Sequence, residues 1–153
     1  MIASEDRQNL ERSILFADVS RESIDHLFDG CDEIRLERGQ HLLEPGVAGN
    51  HLYLILEGEL RAYLSDRDLP GHAVFGAGDC VGETSLLDGQ ATQALVLAAK
   101  DTRLVAVPHG VLWAMVDCSH AVARNLLALM AGRLRNESLA LVSSQNRSLE
   151  FAQ

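Results

Sequence analysis

The distribution of glycine constrains the fold of this chain more than any other feature. Nine of the twelve glycines lie between Gly39 and Gly89, whereas only Gly110 and Gly132 follow. Frequent turn residues divide a chain into short strands, and their absence permits helices. The sequence therefore predicts one domain with a β-rich middle between two helical ends. Its predicted parts are N-terminal helices (1–30), a β-roll (31–107) and C-terminal helices (108–153).

Two short helices are predicted before the roll. The first runs from Arg7 to Phe16, because apolar residues recur along one stripe of that segment. The second is capped by Ser20 and ends at Gly30. Both helices are expected to bury their apolar stripes against the middle of the domain.

Alternation with a period of two begins at Glu33. Leu52, Leu54 and Leu56 fall on one face of a predicted strand, with Tyr53 and Ile55 on the other. Segments 94–99 and 103–107 are almost wholly apolar, which is typical of strands buried on both faces. Seven or eight short strands with this spacing predict a closed β-roll of the jelly-roll, or double-stranded β-helix, type that the cupins share.

Helical periodicity returns after the roll. Pro108 stands at the first position of a short predicted helix, and Ser119 caps a long one. A helix of roughly thirty residues has little to bury against within a small domain, so its apolar stripe predicts a parallel homodimer. The stripe consists of Leu127, Met130, Leu134 and Leu141.

Composition argues against several classes of protein. The 13 basic and 22 acidic residues give a formal charge of -9, which repels a nucleic-acid backbone, so direct DNA binding is not expected. No apolar run approaches the roughly 18 residues of a membrane span, and a cytoplasmic location is predicted.

The three cysteines are widely spaced and predict neither a metal site nor a disulfide. No nucleophile and base form a recognisable pair, so we expect no enzymatic activity.

The segment 82–93 carries the strongest functional pattern. A helix-like turn that starts at Gly82 would expose unpaired backbone amides from Gly82 to Leu86, and Thr84 and Ser85 would add hydroxyl donors. Such a turn is suited to an anion. We call residues 82–93 the cassette.

The cassette contains no cation of its own. No Lys or Arg occurs between Arg67 and Lys100, so amides and hydroxyls would have to hold the anion. The residues leave two roles open for Glu83. It could accept a hydrogen bond from a ligand hydroxyl, as acidic residues do in dinucleotide sites, or it could pair with a nearby Arg or backbone amide.

Five motifs occur in order along nearly the whole chain: LFADVSRESIDHLF, LEPGVAGNHLYLILEGEL, FGAGDCVGETSLLDGQ, LWAMV and NLLALMAGRLR. In this order they resemble the cyclic-nucleotide-binding domain family. That family includes catabolite-activator-type regulators, the regulatory subunit of cAMP-dependent kinase and cyclic-nucleotide-gated channels. The resemblance implies a sensor domain whose ligand is cAMP, cGMP or a related anion such as a cyclic dinucleotide.

The resemblance also assigns roles to individual residues. The cassette amides would hold the cyclic phosphate, Glu83 would take the ribose hydroxyl, and an Arg near the end of the cassette would pair with the phosphate. That Arg position falls on Thr92, followed by Gln93, and both can donate only neutral hydrogen bonds. Losing a charge-assisted contact of about 1.5 to 3 kcal/mol predicts affinity about tenfold to over a hundredfold weaker.

In the catabolite-activator branch the long helix caps the base. The resemblance therefore places Arg133, Glu137 and Ser138 at the purine, from the same subunit or across the dimer. It further implies that the C-terminal helix passes the signal to a partner or to an output domain, for instance a cyclic-di-GMP synthase (diguanylate cyclase).

Two other interpretations remain open at this point. The chain could be a dimerisation module that has lost its ligand, with Leu86, Leu87 or a C-terminal helix residue filling the base site. It could also be a haem-based gas sensor, since some relatives enclose haem in the same roll. His72, just before the strand that leads into the cassette, is the best candidate ligand for an iron.

Overall fold

The computed structural model describes the backbone of residues 2–64 and 72–151 and the side chains of residues 2–63 and 73–136. Among these residues, three helical segments precede the roll and two helices follow it. They are α1 (Ser4–Leu10), a 3-10 helix (Ile14–Phe16), α2 (Arg21–Asp29), α4 (His109–Cys118) and α5 (His120–Phe151). The helix α3 (Glu83–Asp88) interrupts the roll.

In the described part of the chain, the roll is built from eight strands in two four-stranded antiparallel sheets. One sheet has the order β1-β8-β3-β6 and the other β2-β7-β4-β5, so strands distant in sequence are neighbours in both. This confirms a mainly β jelly-roll fold with flanking helices. The strands are β1 (Asp32–Leu36), β2 (His41–Leu43), β3 (His51–Glu57), β4 (Leu60–Leu64), β5 (His72–Phe75), β6 (Cys80–Val81), β7 (Ala94–Ala98) and β8 (Thr102–Pro108).

Strand β3 separates two apolar cores, and its alternation confirms the predicted faces. Leu52, Leu54 and Leu56 pack with the N-terminal and C-terminal helices. Ile55, with Tyr53 beside it, faces the core between the two sheets. The predicted period of two thus directs one face of the strand to each core.

The prediction of one helix from Arg7 to Phe16 is wrong. Helix α1 ends at Leu10, and the 3-10 helix begins three residues after Glu11. The Ser13 hydroxyl accepts a hydrogen bond from the Leu15 amide at 3.4 Å, which caps a new helical start. In contrast, Ser20 caps α2 as predicted, since its hydroxyl accepts from the Ser23 amide at 3.2 Å.

Two residues, Ser119 and Asn125, set the start of α5. The Ser119 hydroxyl accepts from the Val122 amide at 3.3 Å and caps the helix as predicted. Asn125 then donates from its side-chain nitrogen to the carbonyls of Leu15 and Ala17, at 2.9 and 2.7 Å. Helix α5 is thereby fastened to the N-terminal 3-10 helix.

The boundary before α4 differs by one residue from the prediction, because Pro108 ends β8 and precedes the first helical residue, His109.

The predicted apolar stripe of α5 is only partly buried. Leu127 and Leu134 are 71% and 61% exposed, and Met130 is half-buried. Leu141 lies outside the residues whose side chains are described. Two large apolar side chains on α5 therefore face away from the roll, and the homodimer stays a prediction.

Candidate functional site

Gly82 forms the sharp turn that leads from β6 into α3. Its φ of 95° lies in the left-handed region, which residues with a Cβ rarely adopt. A Cβ at this position would lie 2.6 Å from the carbonyl oxygen of His51, at the start of β3. The strand can pass into the helix so close to β3 only because this residue is glycine.

The first turn of α3 leaves backbone donors open. The hydrogen bonds found within the described part of the chain include none donated by the amides of Glu83, Thr84 or Ser85. The Thr84 side chain is exposed, whereas Ser85 is buried. The Ser85 Oγ lies beside Gly49, 4.0 Å from where a Cβ would stand on that glycine. Leu86 is buried in the core under the helices, so its side chain packs the cassette onto β3.

Glu83 is buried and forms an ion pair with Arg133 of α5. The Arg133 Nε lies 3.3 Å from Glu83 Oε1, and the two side chains are 21% and 7% exposed. A carboxylate buried to this extent needs a compensating charge or several hydrogen bonds. Arg133 provides that charge from a helix that begins 37 residues after Glu83, at His120.

Two further contacts hold the Arg133 guanidinium in place. Its Nη2 donates to the carbonyl oxygen of Cys80 at 2.5 Å. Its central carbon lies 4.4 Å from the ring centroid of Phe75, which is a cation–π contact. One side chain of α5 therefore touches β5, β6 and α3 at the same place.

The structure brings together only part of the predicted site. Of the two roles left open for Glu83, pairing with an Arg is the one present in this structure. Arg133, which the resemblance places at the purine, does lie against the cassette; its contact with a purine stays a prediction. Glu137 and Ser138 lie outside the residues whose side chains are described.

Thr92 is held by two local hydrogen bonds at the end of the cassette. The Thr92 hydroxyl accepts from the Ala94 amide at 3.2 Å, and its carbonyl accepts from the Gly46 amide at 2.9 Å. Thr92 thus closes a local turn and holds the segment between β2 and β3. Gln93 is exposed. In this arrangement the cassette has no cationic side chain of its own.

A cavity of about 380 Å³ borders the cassette on the side of Gly49. Neither Glu83 nor Arg133 lines it. Its walls are formed by His41, Leu42, Leu43, Glu44, Val47, Ala48, Gly49, Asn50, His51 and Tyr53. Open volume therefore lies next to the cassette, whereas the carboxylate of Glu83 is covered by the guanidinium.

Burial and charge keep the Cys80 thiol protonated beside this ion pair. Burial raises the pKa of its thiol to about 12, and the negative charge of Glu83 adds to the increase, while Arg133 opposes it. A thiol with such a pKa remains protonated at neutral pH. Cys80 serves the site through its carbonyl oxygen.

His109 is a neighbour of the cassette that sequence reasoning missed. Its amide donates to the carbonyl of Asn50 at 3.0 Å, and its Nε2 is buried with no partner among the described residues. Burial lowers the pKa of the His109 imidazole, and the charge of the His51 imidazole lowers it further. Hydrogen bonds to the backbone of His51 and of Gly82 act in the opposite direction and raise this pKa. The sequence signal for it was weak, because only the pairing of β3 with β8 brings His109 near Gly82.

The described residues contain neither a metal site nor a membrane-spanning helix. No group of His, Cys, Asp and Glu side chains among them is arranged to hold a metal ion. None of the helices, within the described ranges, combines the length and apolarity needed to cross a membrane. The side chain of His72, the candidate haem ligand, lies outside the described residues.

Comparisons with known proteins agree with this architecture. The family described as "Cyclic nucleotide-binding domain" matches residues 33–118. The cyclic AMP receptor protein of Thermus thermophilus is 31% identical over 137 residues, which cover 86% of this chain and 62% of that protein. The cAMP-dependent protein kinase regulatory subunit of Aspergillus fumigatus is 33% identical over 76 residues, covering 50% of this chain and 18% of the subunit.

A solved structure supports the same assignment. The crystal structure of the Thermus thermophilus catabolite activator protein superposes with a TM-score of 0.74 at 32% identity, covering 84% of this chain and 62% of that one. The chain thus spans about three fifths of the length of this relative. The matched family covers more than half of the chain and includes the whole cassette. The chain belongs to the cyclic nucleotide-binding domain family.

Proposed function

We propose that this chain is a regulatory sensor that binds a cyclic nucleotide at the cassette and passes the signal through α5. The observation that carries the proposal is the ion pair between buried Glu83 and Arg133 in a member of this family. The pair joins the cassette to the C-terminal helix α5. A ligand that contacts Glu83 must change the surroundings of Arg133, and so bias the position of α5.

Cyclic AMP is the first ligand to test. It appears in the names of two relatives, the Thermus receptor protein and the Aspergillus kinase regulatory subunit. In the proposed complex the open amides of residues 83–85 donate hydrogen bonds to the phosphate, as do the hydroxyls of Thr84 and Ser85. Glu83 accepts the ribose hydroxyl, and Thr92 and Gln93 lie at the end of the cassette. Cyclic GMP and cyclic di-GMP are the alternatives.

The output of this sensor lies beyond the roll. We propose that two copies pair through α5, which is supported by the exposure of Leu127 and Leu134. Arg133 and Ser138 would then lie near the purine, from one subunit or the other.

The paired helices would act on an output domain, such as a diguanylate cyclase, or on a separate partner. The domain's role would be regulatory and not catalytic, and the chain would not bind DNA directly.

Isothermal titration calorimetry tests the proposal with cyclic AMP, cyclic GMP and cyclic di-GMP. At least one should give saturable binding to the wild-type chain. The Thr92→Arg variant should bind a cyclic mononucleotide about tenfold to a hundredfold more tightly, because it restores a charge-assisted contact. A cassette that binds none of the three, with or without this substitution, would rule out nucleotide sensing.

A ligand-independent dimerisation module is the second candidate. The observation in its favour is that Arg133, a residue of the C-terminal helix, already neutralises Glu83 and covers Phe75. This candidate predicts that no nucleotide shifts the melting temperature and that the dimer forms equally well without ligand. A thermal shift with any of the three nucleotides would exclude it.

A further inference from the structure

We propose that His109 is a pH-dependent switch, which holds the start of α4 against the turn at Gly82 while its imidazole is neutral and releases it on protonation. His109 is the first residue of α4, and Gly82 is the residue between β6 and α3. The switch needs no ligand, so this inference goes beyond the proposed function and does not depend on it.

Three parts of the chain meet at His109. Its amide donates to the carbonyl of Asn50 at 3.0 Å, and in the pairing of β3 with β8 its neighbour Pro108 lies opposite His51. The His51 carbonyl oxygen lies 2.6 Å from where a Cβ would stand on Gly82. The His109 imidazole contacts the backbone of both His51 and Gly82. One side chain of α4 therefore joins β3 to the turn that begins the cassette.

The neutral form of His109 suits this position better than the charged form. Its Nε2 is buried and has no hydrogen-bond partner among the described residues. With the proton on Nδ1, Nε2 carries only a lone pair, whereas protonation turns both ring nitrogens into donors and adds a positive charge. A buried donor without an acceptor destabilises the contact, and an unpaired buried charge does so more strongly.

The neighbouring groups do not compensate the charge of a protonated His109. Burial is the main cause that lowers its pKa below 6.5, and the His51 imidazole lowers it further because the two charges have the same sign. The backbone contacts raise the pKa but do not reverse the shift. The first turn of α4 contains no acidic residue, and the amino end of a helix disfavours a positive charge.

Carboxylates on adjoining elements do not change this balance. Glu83, which follows Gly82, already pairs with Arg133. Helix α2 packs against α4 and carries acidic residues, but within the described residues none of them acts on the pKa of His109. The imidazole of His51 is thus the charged group to which His109 responds.

The direction of the switch follows from these contacts. Above pH 6.5 the imidazole is neutral and the contact with His51 and Gly82 is formed. As the pH falls below 6.5 toward the lower pKa of the folded state, protonation favours a conformation in which the ring is hydrated. Because α4 leads directly into α5, its release changes the connection between the cassette and the C-terminal helices.

An NMR titration of the wild-type chain, combined with hydrogen exchange at each pH, tests the switch. The His109 ring should titrate with a pKa below 6.5, and the Gly82 amide resonance should shift with the same pKa. The His109 amide reports the contact, since it donates to Asn50. Its protection factor, corrected for the intrinsic effect of pH on exchange, should fall by about threefold to tenfold between pH 7.5 and 5.5. Protection in the pairing of β1 with β8 should stay unchanged.

Four variants separate the switch from a general effect of acid. His109→Gln cannot be protonated, so protection of the amide at position 109 should be equal at both pH values. His109→Lys carries a charge at both and should show low protection already at pH 7.5. His51→Gln removes the like charge and should raise the pKa of His109. His120→Gln, at an exposed position, is the matched control and should keep the wild-type pH dependence.

Three results would overturn the proposal. A His109 pKa at or above 6.5 would show that the folded chain accepts the proton. Titration of the ring without a fall in protection of its amide would show that the contact does not depend on charge. A pH dependence that persists in His109→Gln would assign it to another group. If the variants at position 109 do not fold, the first two results, from the wild-type chain, decide.

Discussion

The Cα of Gly82 faces the carbonyl oxygen of His51 so closely that a Cβ would lie 2.6 Å from that oxygen. The obstacle is backbone, which cannot move aside as the end of a flexible side chain can. The contact fixes the start of α3 against β3, and with it the position of Glu83. The turn is therefore the rigid part of the proposed site.

Replacing Gly82 should be much more costly than replacing another glycine of the same conformation. Gly82→Ala combines a left-handed φ with a backbone clash, and we expect a loss of more than about 2 kcal/mol in the free energy of unfolding. Gly89, with a φ of 67° and open space around it, is the matched control. Gly89→Ala should cost only about 1 kcal/mol, from the backbone strain alone. Urea denaturation measures both, and equal losses would contradict the packing described here.

Arg103 of β8 fastens α1 to the roll, and its loss should loosen α1 first. Its guanidinium reaches Asp6 at 2.6 Å, Glu33 at 2.7 Å and Glu57 at 3.3 Å. Because the cluster is only partly buried, Arg103→Gln should lower the free energy of unfolding by about 1 to 2 kcal/mol. Hydrogen exchange should show faster exchange in residues 4–10.

The neighbouring Arg35 provides the control for this experiment. It lies 3.8 Å from Glu33 and is 78% exposed, so Arg35→Gln should leave stability and exchange in α1 unchanged. An Arg103→Gln protein with wild-type exchange in α1 would show that the cluster does not hold the helix.

Titration of His109 should reduce the stability of the domain below neutral pH. Burial lowers the pKa of this imidazole below its ordinary value of 6.5, so the unfolded chain binds a proton more readily than the folded one. The contribution is fully present above pH 6.5 and is lost as the pH falls through that value toward the lower pKa of the folded state. His109→Gln should flatten the dependence of stability on pH between 7.5 and 5.5.

His120 is the matched control, because it is also a histidine but is exposed, as the first residue of α5. Urea melts at several pH values should show the wild-type pH dependence in His120→Gln. The same pH dependence in His109→Gln would contradict the role given to burial.

The exposed stripe of α5 should carry the dimer contact. Leu127→Glu and Leu134→Glu each place a charge in the proposed apolar seam, and sedimentation velocity should show monomers where the wild type is dimeric. Asn136→Glu, an exposed position on the opposite side of the same helix, should leave the dimer intact. A wild-type chain that is monomeric at high micromolar concentration would contradict the proposed pairing.

Local patterns predicted much of the fold. The alternation in β3, the cap at Ser20 and the turn at Gly82 each follow from a few neighbouring residues, so the sequence reveals them. The break after Leu10 was missed because Ser13 caps a new helical turn inside a segment whose apolar periodicity continues. A single hydroxyl outweighs the periodic pattern there.

Contacts between distant residues could not be predicted in the same way. The hydrogen bonds from Asn125 to Leu15 and Ala17 join residues more than a hundred positions apart, and they depend on how α5 lies across the domain. The pairing of Glu83 with Arg133 depends on the same placement. From the residues alone, a partner Arg for Glu83 was only one of two roles, and nothing in the spacing named Arg133.

Hydrogen exchange of the wild-type chain with and without saturating cyclic AMP tests the central claim most directly. The claim is that the cassette and α5 respond to one ligand through Glu83 and Arg133. We predict slower exchange at the amides of residues 83–85 together with altered exchange in residues 125–136. No change in either segment, or protection of the cassette with α5 unaffected, would contradict it.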